Sequence, residues 1–430
     1  MIFPSAPTLR EQLIATLSEL VQIPSENTPP SGAEYPCQKY LHERLQRNGL
    51  KSDLYYFSEI EKLTPHPAYR HQRDYTNRPN VAGTLLGTGG GKSLLFSGHI
   101  DTVPIGTEKW EHNPYGAEIE GNRLYGRGSN DMKGGLTAAL IAIETIIHSG
   151  IKLKGDVIFE SVVDEEFGGV NGTLAARLRG YNADAVIVTE PSQNIICPAH
   201  LGGRIVHVTF RTNDGGILEE GKSEFSVTDQ LHYFLGELKN FAELRKSQAP
   251  IHPLYSMNDD PVPVWVLKIN AGGWGMEVPT TIPNICRVEL YWQQVPGEKL
   301  DEIDLAFSQW VEGIINARPE LFQIKPEVVP AIDWLPGSEI EINSPVVTQL
   351  AESFQKVTGK QASIQGFNAP CDMFIFHQYF QTPALLFGPK GGNTHQPDEW
   401  VDLDSLVEVT ETLINFICEW CGSATPSILN

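Results

Sequence analysis

The sequence contains no hydrophobic run long enough to cross a membrane. A spanning helix needs about 20 consecutive apolar residues, and no segment of this 430-residue chain approaches that length. The first seven residues also lack the basic stretch followed by an apolar stretch that marks a secretory signal. We therefore expect a soluble, cytoplasmic protein with no membrane partner.

Cysteine is scarce and scattered. Six cysteines in 430 residues indicate reduced thiols and not a disulfide framework, because such frameworks belong to small, cysteine-dense chains. Cys418 and Cys421 form a C-x-x-C, but they lie in a region of helical periodicity, and a zinc site would need a second pair. We expect both to be buried or half-buried helix residues.

Positive charge is also in deficit. Lysine and arginine number 32 against 53 acidic residues, which gives a formal net charge of −21. This balance argues against nucleic acids and anionic membrane surfaces as partners. Carboxylates that hold metal ions would neutralise part of the acidity. The hydrophobic fraction of 41% is that of a globular protein.

Strand-like and helix-like patterns alternate over about residues 8–200 and again after about residue 322. Such alternation predicts an α/β fold, a mostly parallel sheet with helices on both faces. Between these regions, two strand-plus-helix patterns predict a smaller inserted α+β domain. We expect residues 1–200 and 321–430 to form the first domain and residues 201–320 the insertion.

Polar residues follow four of the predicted strands, at residues 93–97, 157–163, 185–189 and 383–389. These residues are His99 and Asp101, Glu165 and Glu166, Glu190, and His395 in the loop after the last strand. In open α/β sheets, ligand sites lie at the carboxyl ends of the strands. Histidines with carboxylates fit divalent metals, above all zinc. Asp101 is predicted to accept the second N–H of the His99 imidazole and so to fix its tautomer.

Each of these residues also has a structural alternative. A lone histidine after a strand is more often structural than a ligand, and Asp131 lies in a segment typical of a turn or helix cap. The pair Glu165 and Glu166 could belong to a solvated loop. The combination of so many candidates at strand ends favours a metal-dependent hydrolase.

The order and spacing of these motifs resemble a known superfamily. The matching segments are residues 97–104, 125–135, 164–169 and 189–191, and Gly388–Pro389 followed by His395 and Glu399. They are similar to the dinuclear zinc enzymes that include acetylornithine deacetylase, succinyl-diaminopimelate desuccinylase, aminoacylase and glutamate carboxypeptidase, most of all to the acetylornithine deacetylase branch. The resemblance covers nearly the whole chain, and five motifs in order make it specific.

The resemblance implies two divalent ions per chain, with zinc first and cobalt or manganese as alternatives. The implied ligands are His99, Asp131, Glu166, Glu190 and His395. Asp131 would bridge the ions, His99 and Glu190 would complete one ligand set, and Glu166 with His395 the other. The implied catalytic residues are Glu165, as general base, and Asp101. A metal-bridging hydroxide would attack the carbonyl, and Glu165 would pass its proton to the leaving amine.

The implied domains are a catalytic domain, formed by residues 1–200 and 321–430, and an inserted lid of the dimerisation type. The implied function is hydrolysis of a linear amide bond, as in deacylation of a small N-acyl amino acid or related N-acyl amine. A dipeptidase, aminopeptidase or carboxypeptidase acting on short peptides is the alternative within the superfamily. An inactive metal-binding scaffold is the alternative from another class. Further substrate contacts are predicted at Arg204, Thr280, Cys371, Asp372 and Asn393.

The insertion departs from the family pattern. Relatives usually carry a Gly-x-x-Ala-His motif after the first lid strand, and its histidine reaches the active site of the partner in a dimer. Residues 211–218 contain no histidine. The candidates to replace it are His200, Arg204, His207 and His232, or the metals alone. We therefore leave a homodimer through the lid open, and we expect N-acetylornithine to be a poor substrate.

Overall fold

The computed structural model of the chain describes residues 6–213, 217–218, 224–272 and 281–423. They form two compact units. Unit 1 combines the chain up to Ala199 with Glu339–Phe367 and with the residues from Asp372 onward. Unit 2 combines His200–Ser338 with Asn368–Cys371.

The α-helices are α1 (Ala6–Val21), α2 (Tyr35–Arg47), α3 (Lys133–His148), α4 (Asn171–Arg179), α5 (Val227–Gln248), α6 (Leu300–Ala317), α7 (Pro345–Thr358), α8 (Phe374–Phe380) and α9 (Leu403–Cys421). Two short 3-10 helices span Phe57–Glu59 and Pro253–Tyr255. In the parts of the chain that the structure describes, each helix is too short or too polar to span a bilayer.

The strands up to the insertion are β1 (Asn27–Thr28), β2 (Ser31–Gly32), β3 (Lys51–Tyr55), β4 (Asn80–Leu85), β5 (Leu94–His99), β6 (Glu118–Glu120), β7 (Arg123–Tyr125), β8 (Val157–Val162), β9 (Ala185–Val188) and β10 (Ile196–His200). The later strands are β11 (Gly202–Arg211), β12 (Val264–Ala271), β13 (Ile285–Gln294), β14 (Glu327–Leu335), β15 (Ser338–Glu339), β16 (Ile364–Phe367), β17 (Ala384–Leu386), β18 (Gly391–Gly392) and β19 (Trp400–Asp402).

Unit 1 is built on a nine-stranded sheet of order β15-β10-β17-β9-β5-β8-β4-β3, with β16 paired to β10. The four central strands, β17, β9, β5 and β8, are parallel neighbours. The pairs β8–β4, β4–β3 and β10–β17 are antiparallel. The α/β prediction is confirmed, but the sheet is mixed, with antiparallel pairs on both sides of its parallel centre. The alternating pattern could not show this, because alternation of strands and helices does not fix the direction of every strand.

The central strands are buried along their full length, as expected where helices cover a sheet. Helix α3 contacts β5 and β8 and packs against α1 and α9. Gly135 permits a close approach, because a Cβ there would lie 1.8 Å from the Thr189 carbonyl oxygen. All six cysteines are buried and free, and Cys418 and Cys421 lie in α9, in line with the interpretation of that pair as helix residues.

Unit 2 has a four-stranded antiparallel sheet of order β12-β13-β11-β14. Its apolar core includes Trp292 from β13, Phe241 from α5 and Phe307 from α6. The α+β character is as predicted, but two strands were missed. Strand β14 pairs with β11, so the unit continues to Ser338 and does not end at residue 320. The sequence of β14 hid it, since it contains Pro330 and is largely exposed, as edge strands can be.

Candidate active site

Three neighbouring parallel strands carry candidate residues to one edge of the unit 1 sheet. Strand β5 ends at His99, Glu165 and Glu166 follow β8, and Glu190 follows β9. Because β9, β5 and β8 run in the same direction, their carboxyl ends meet at that edge. The strand-end interpretation of the sequence therefore corresponds to the observed topology.

Asp131 reaches the same place from the turn between β7 and α3. A buried carboxylate, Glu399, holds this turn by accepting the backbone N–H groups of Gly128, Asn130 and Asp131, each at 3.0 Å. The Arg127 guanidinium donates to Glu399 at 2.8 Å and balances its charge. Glu399 thus fixes the backbone turn that carries the Asp131 carboxylate.

Asp131 presents one oxygen to each of two groups of side chains. Oδ1 lies 3.1 Å from His99 Nε2, which is 3.8 Å from Glu190 Oε1. Oδ2 lies 3.3 Å from His395 Nε2, which is 2.9 Å from Glu166 Oε2. All five predicted ligands therefore converge, and Asp131 is shared between the two groups.

The spacing of these side chains fits the binding of divalent metal ions. Ligand atoms around a tetrahedral zinc ion lie about 3.3 Å apart, close to the 2.9–3.8 Å separations observed here. Atoms of His99, Asp131 and Glu166 lie within 4.8 Å of one another, as do those of His99, Glu165 and Glu190. Nitrogen and carboxylate donors in this number form a candidate metal site.

The electrostatics of the cluster also favour a cation. Burial alone would lower the pKa of His99, but the hydrogen bond to Asp131 and the charges of Glu190 and Glu165 raise it well above its usual value. For Asp131, burial raises the pKa, and the two histidines more than reverse this effect. The carboxylates thus create a strongly negative potential at the centre of the cluster.

Glu165 lies beside the ligands with fewer close contacts. Its Oε2 is 3.9 Å from His99 Nε2. Burial raises the pKa of Glu165 well above its usual value, the His99 charge opposes this rise, and Glu190 and Asp372 add to it. A half-buried carboxylate of raised pKa beside a candidate metal site binds a proton more readily than an ordinary carboxylate.

A comparison with protein families decides what kind of protein has this geometry. Residues 95–419 match peptidase family M20/M25/M40. The chain belongs to this family. The predicted reaction class, hydrolysis of a C–N amide bond, is thereby confirmed.

Relatives of this M20 chain include two enzymes of one name. This chain is 28% identical over 440 residues to an N-formyl-4-amino-5-aminomethyl-2-methylpyrimidine deformylase of Halalkalibacterium halodurans. The alignment covers 96% of this chain and 95% of the relative. The deformylase of the same name from Bacillus subtilis is 28% identical over 381 residues, covering 81% and 84%. Among solved structures, the dipeptidase Dug1p of Saccharomyces cerevisiae is similar in fold, with a TM-score of 0.75 at 14% identity, covering 99% of this chain and 100% of Dug1p.

The Asp101 carboxylate does not make the predicted contact with His99 in this M20 chain. His99 Nδ1 lies 2.9 Å from the main-chain carbonyl oxygen of Asp101, and the nearest Asp101 carboxylate oxygen is 3.7 Å away. The carboxylate accepts the backbone N–H groups of Glu165 at 3.0 Å and Glu166 at 3.2 Å. The imidazole is therefore oriented by the carbonyl, and the carboxylate holds the loop after β8.

The predicted substrate contacts have mixed outcomes. In unit 1, Asp372 is buried, accepts a hydrogen bond from Thr173 Oγ1 and raises the pKa of Glu165 and Glu190 by its charge. Asn393 donates to the carbonyls of residues 397 and 398 and so braces the His395 loop. Its Nδ2 is engaged within the loop, and its contact with a substrate stays a prediction.

The remaining predicted contacts lie in unit 2 or beyond the described residues. Arg204 forms an ion pair with Asp304 and lies over the Trp334 ring, so its charge is engaged within unit 2. Cys371 is buried in unit 2. Thr280 lies outside the described residues.

Besides Arg204, two more of the four candidate lid groups have partners in unit 2. His207 Nε2 lies 3.0 Å from Glu289 Oε2, and His200 Nε2 lies 3.0 Å from Ser338 Oγ.

Sequence reasoning missed Asn27, which contacts Asp101, and gave no role to Glu399. Glu399 stood in a matching motif, whereas nothing local distinguished Asn27.

Proposed function

We propose that this M20 hydrolase removes a formyl or similarly small acyl group from an amine carried by a small heteroaromatic molecule of the aminomethylpyrimidine type. The observation that carries the proposal is the match to deformylases of this specificity along nearly the full length of the chain. The cluster of His99, Asp131, Glu165, Glu166, Glu190 and His395 supports it, because it contains the residues that such a hydrolysis needs.

Two divalent ions, zinc first, would share Asp131. His99 and Glu190 would hold one ion, and Glu166 and His395 the other. Bound there, the ions would polarise the amide carbonyl and lower the pKa of a water molecule. The two-oxygen contact of Asp131 supports this assignment, since each of its oxygens faces a separate histidine.

Glu165 would act as the general base. Its half-buried carboxylate would accept the proton of the attacking water and hold it at a carboxylate oxygen. It would then transfer the proton to the nitrogen of the leaving amine, which departs neutral. Asp101 would keep Glu165 in place through the backbone N–H at 3.0 Å.

The cations near the cluster support an amine over an N-acyl amino acid. Among the described residues of unit 1, Arg127 is paired with Glu399 and Arg78 with Glu34. Arg73 lies 3.5 Å from Asp164 and donates to the Phe167 carbonyl. The Lys133 ammonium donates to the carbonyls of residues 20 and 23. Each of these cations is engaged by the protein, so none is presented to a substrate carboxylate.

A substrate panel tests the proposal. It contains N-formyl-4-amino-5-aminomethyl-2-methylpyrimidine, its N-acetyl analogue, N-formyl, N-acetyl, N-succinyl and N-carbamoyl amino acids, N-acetylornithine, and dipeptides. We expect kcat/KM for the formylpyrimidine to exceed that for every amino acid derivative by about tenfold or more. Higher kcat/KM for a dipeptide or for N-acetylornithine would overturn the proposal. Chelator-treated enzyme is the control for metal dependence.

A further inference from the structure

Asn27 lies on β1, fully buried beside the end of β5. Its backbone N–H donates to the Thr102 carbonyl at 2.8 Å, and the Thr102 N–H donates to the Ser25 carbonyl at 3.0 Å. The Ser25 hydroxyl donates to the Ile100 carbonyl at 2.7 Å. Residues 25–27 therefore run alongside the backbone that follows His99.

The Asn27 side chain contacts two buried carboxylates. Its Nδ2 lies 2.8 Å from Asp101 Oδ2 and 3.2 Å from Asp164 Oδ1. All three side chains are fully buried. A primary amide has two N–H donors, so one group can donate to both carboxylates. Two neighbouring buried carboxylates repel each other, and a shared donor between them reduces that cost.

Both carboxylates act on the loop that carries Glu165 and Glu166. Asp101 Oδ2, the atom that Asn27 contacts, also accepts the backbone N–H groups of these two residues. Asp164 directly precedes Glu165 and has a φ of +65°. A left-handed φ is uncommon for aspartate and persists where the surroundings enforce it. The other oxygen of Asp164 accepts from the Tyr75 hydroxyl at 2.6 Å.

We propose that Asn27 is a positioning residue for the loop of Glu165 and Glu166. By donating to Asp101 and Asp164 together, it holds the loop at two adjacent points and sets the direction of the base and of one metal ligand. Only the activity readout of this inference rests on the proposed function. A misplacement of about 1 Å can cost about 100-fold in rate. Loss of groups that orient metal ligands typically costs about 10–100-fold in affinity or activity.

The test compares two buried amides. Asn27→Leu removes the shared donor and keeps the branched shape and the number of heavy side-chain atoms. Gln38→Met is the matched control, because Gln38 is also fully buried and donates at 2.8 Å to the Ser161 carbonyl of β8, not to a carboxylate. For each folded protein, kcat and KM are measured at saturating zinc, and zinc affinity is measured by chelator competition.

We expect Asn27→Leu to lower kcat by about 10–100-fold with KM within about twofold, and to weaken zinc binding by about tenfold. Gln38→Met should keep kcat and zinc affinity within about twofold of wild type while lowering the melting temperature. Asn27→Ser, which keeps one donor, should be intermediate and replaces Asn27→Leu if that variant does not fold.

Two results would overturn the inference: unchanged kcat and zinc affinity in the Asn27 variants, or equal losses in Gln38→Met. If wild type turns over no panel substrate, that failure counts against the proposed function, and zinc affinity alone decides the role of Asn27.

Discussion

The adjacent residues Glu165 and Glu166 have different contacts. Glu166 Oε2 lies 2.9 Å from His395 Nε2, and its Oε1 accepts the Val103 N–H at 3.2 Å. The Oε2 of Glu165 lies farther from a basic nitrogen, 3.9 Å from His99 Nε2. Both oxygens of Glu166 thus have close partners, which supports its proposed role as a metal ligand, and the longer separation of Glu165 from His99 supports its proposed role as the base.

Substitution of the two glutamates should therefore have different consequences. Glu165→Ala should retain its metal ions and lose about 10²–10⁴-fold in kcat, the usual cost of removing a general base. Glu166→Ala should lose one ion, because the group around Asp131 Oδ2 would be incomplete. Elemental analysis of the folded proteins together with kcat measures both effects. Equal metal loss in the two variants would contradict the assignment of base and ligand.

At the residue scale, the sequence predicted the converging side chains better than the groups that hold them. His99, Glu166 and Glu190 lie at or after the ends of buried strands, and that pattern is local. The partners of Asp101 and Asp131 are not local: Asn27 is 74 residues from Asp101, and Glu399 is 268 residues from Asp131. The carbonyl contact of His99 depends on the path of the backbone after β5, which no side-chain pattern encodes.

Among the elements, α8 is tied to the start of β17 by a histidine. The Ala384 N–H donates to His377 Nε2 at 3.2 Å. Burial lowers the pKa of His377 below 6.5, an effect larger than the opposing one of the Ala384 carbonyl. The unfolded chain therefore binds this proton more readily than the folded protein. The stabilisation is complete above pH 6.5 and is lost as pH falls toward the lowered pKa.

This linkage predicts a pH-dependent difference between two proteins. Wild type should lose more unfolding free energy than His377→Gln on acidification from about pH 7 to about pH 5, by at most about 1.4 kcal/mol per pH unit. The glutamine oxygen can still accept the Ala384 N–H, so the variant keeps the contact without the titration. Urea unfolding at several pH values measures the difference. Parallel pH profiles would show that His377 does not carry it.

Elements with long apolar or amphipathic patterns were predicted well, and edge strands were not. Strands β5, β8 and β9 are buried over every residue, so their composition identifies them. Strand β12 is exposed along most of its length. Pairing with β13 forms such a strand, and burial of its own side chains contributes little. Its formation depends on a neighbour that the local sequence does not reveal.

At the scale of the molecule, the residues of the candidate metal site all belong to unit 1. Both groups of close metal-binding atoms found among the described residues draw only on that unit. Four of their carboxylates, Asp131, Glu165, Glu166 and Glu190, lie close together, and without cations their charges repel. Bound metal should therefore stabilise unit 1, by about 2.7 kcal/mol per site when the free ion is at 100 times its Kd.

Chelation should consequently loosen one unit and not the other. Because unit 2 has its own apolar core and sheet, removal of metal should leave its amide exchange unchanged. In unit 1, exchange should accelerate around residues 99–102, 128–133, 164–169 and 390–399, where the ligands and the groups that hold them lie. Hydrogen exchange read by mass spectrometry, with and without chelator, measures both units in one experiment. Faster exchange in β11 and β13 to the same extent would show that the units open together, and that metal stabilises the chain as a single cooperative structure.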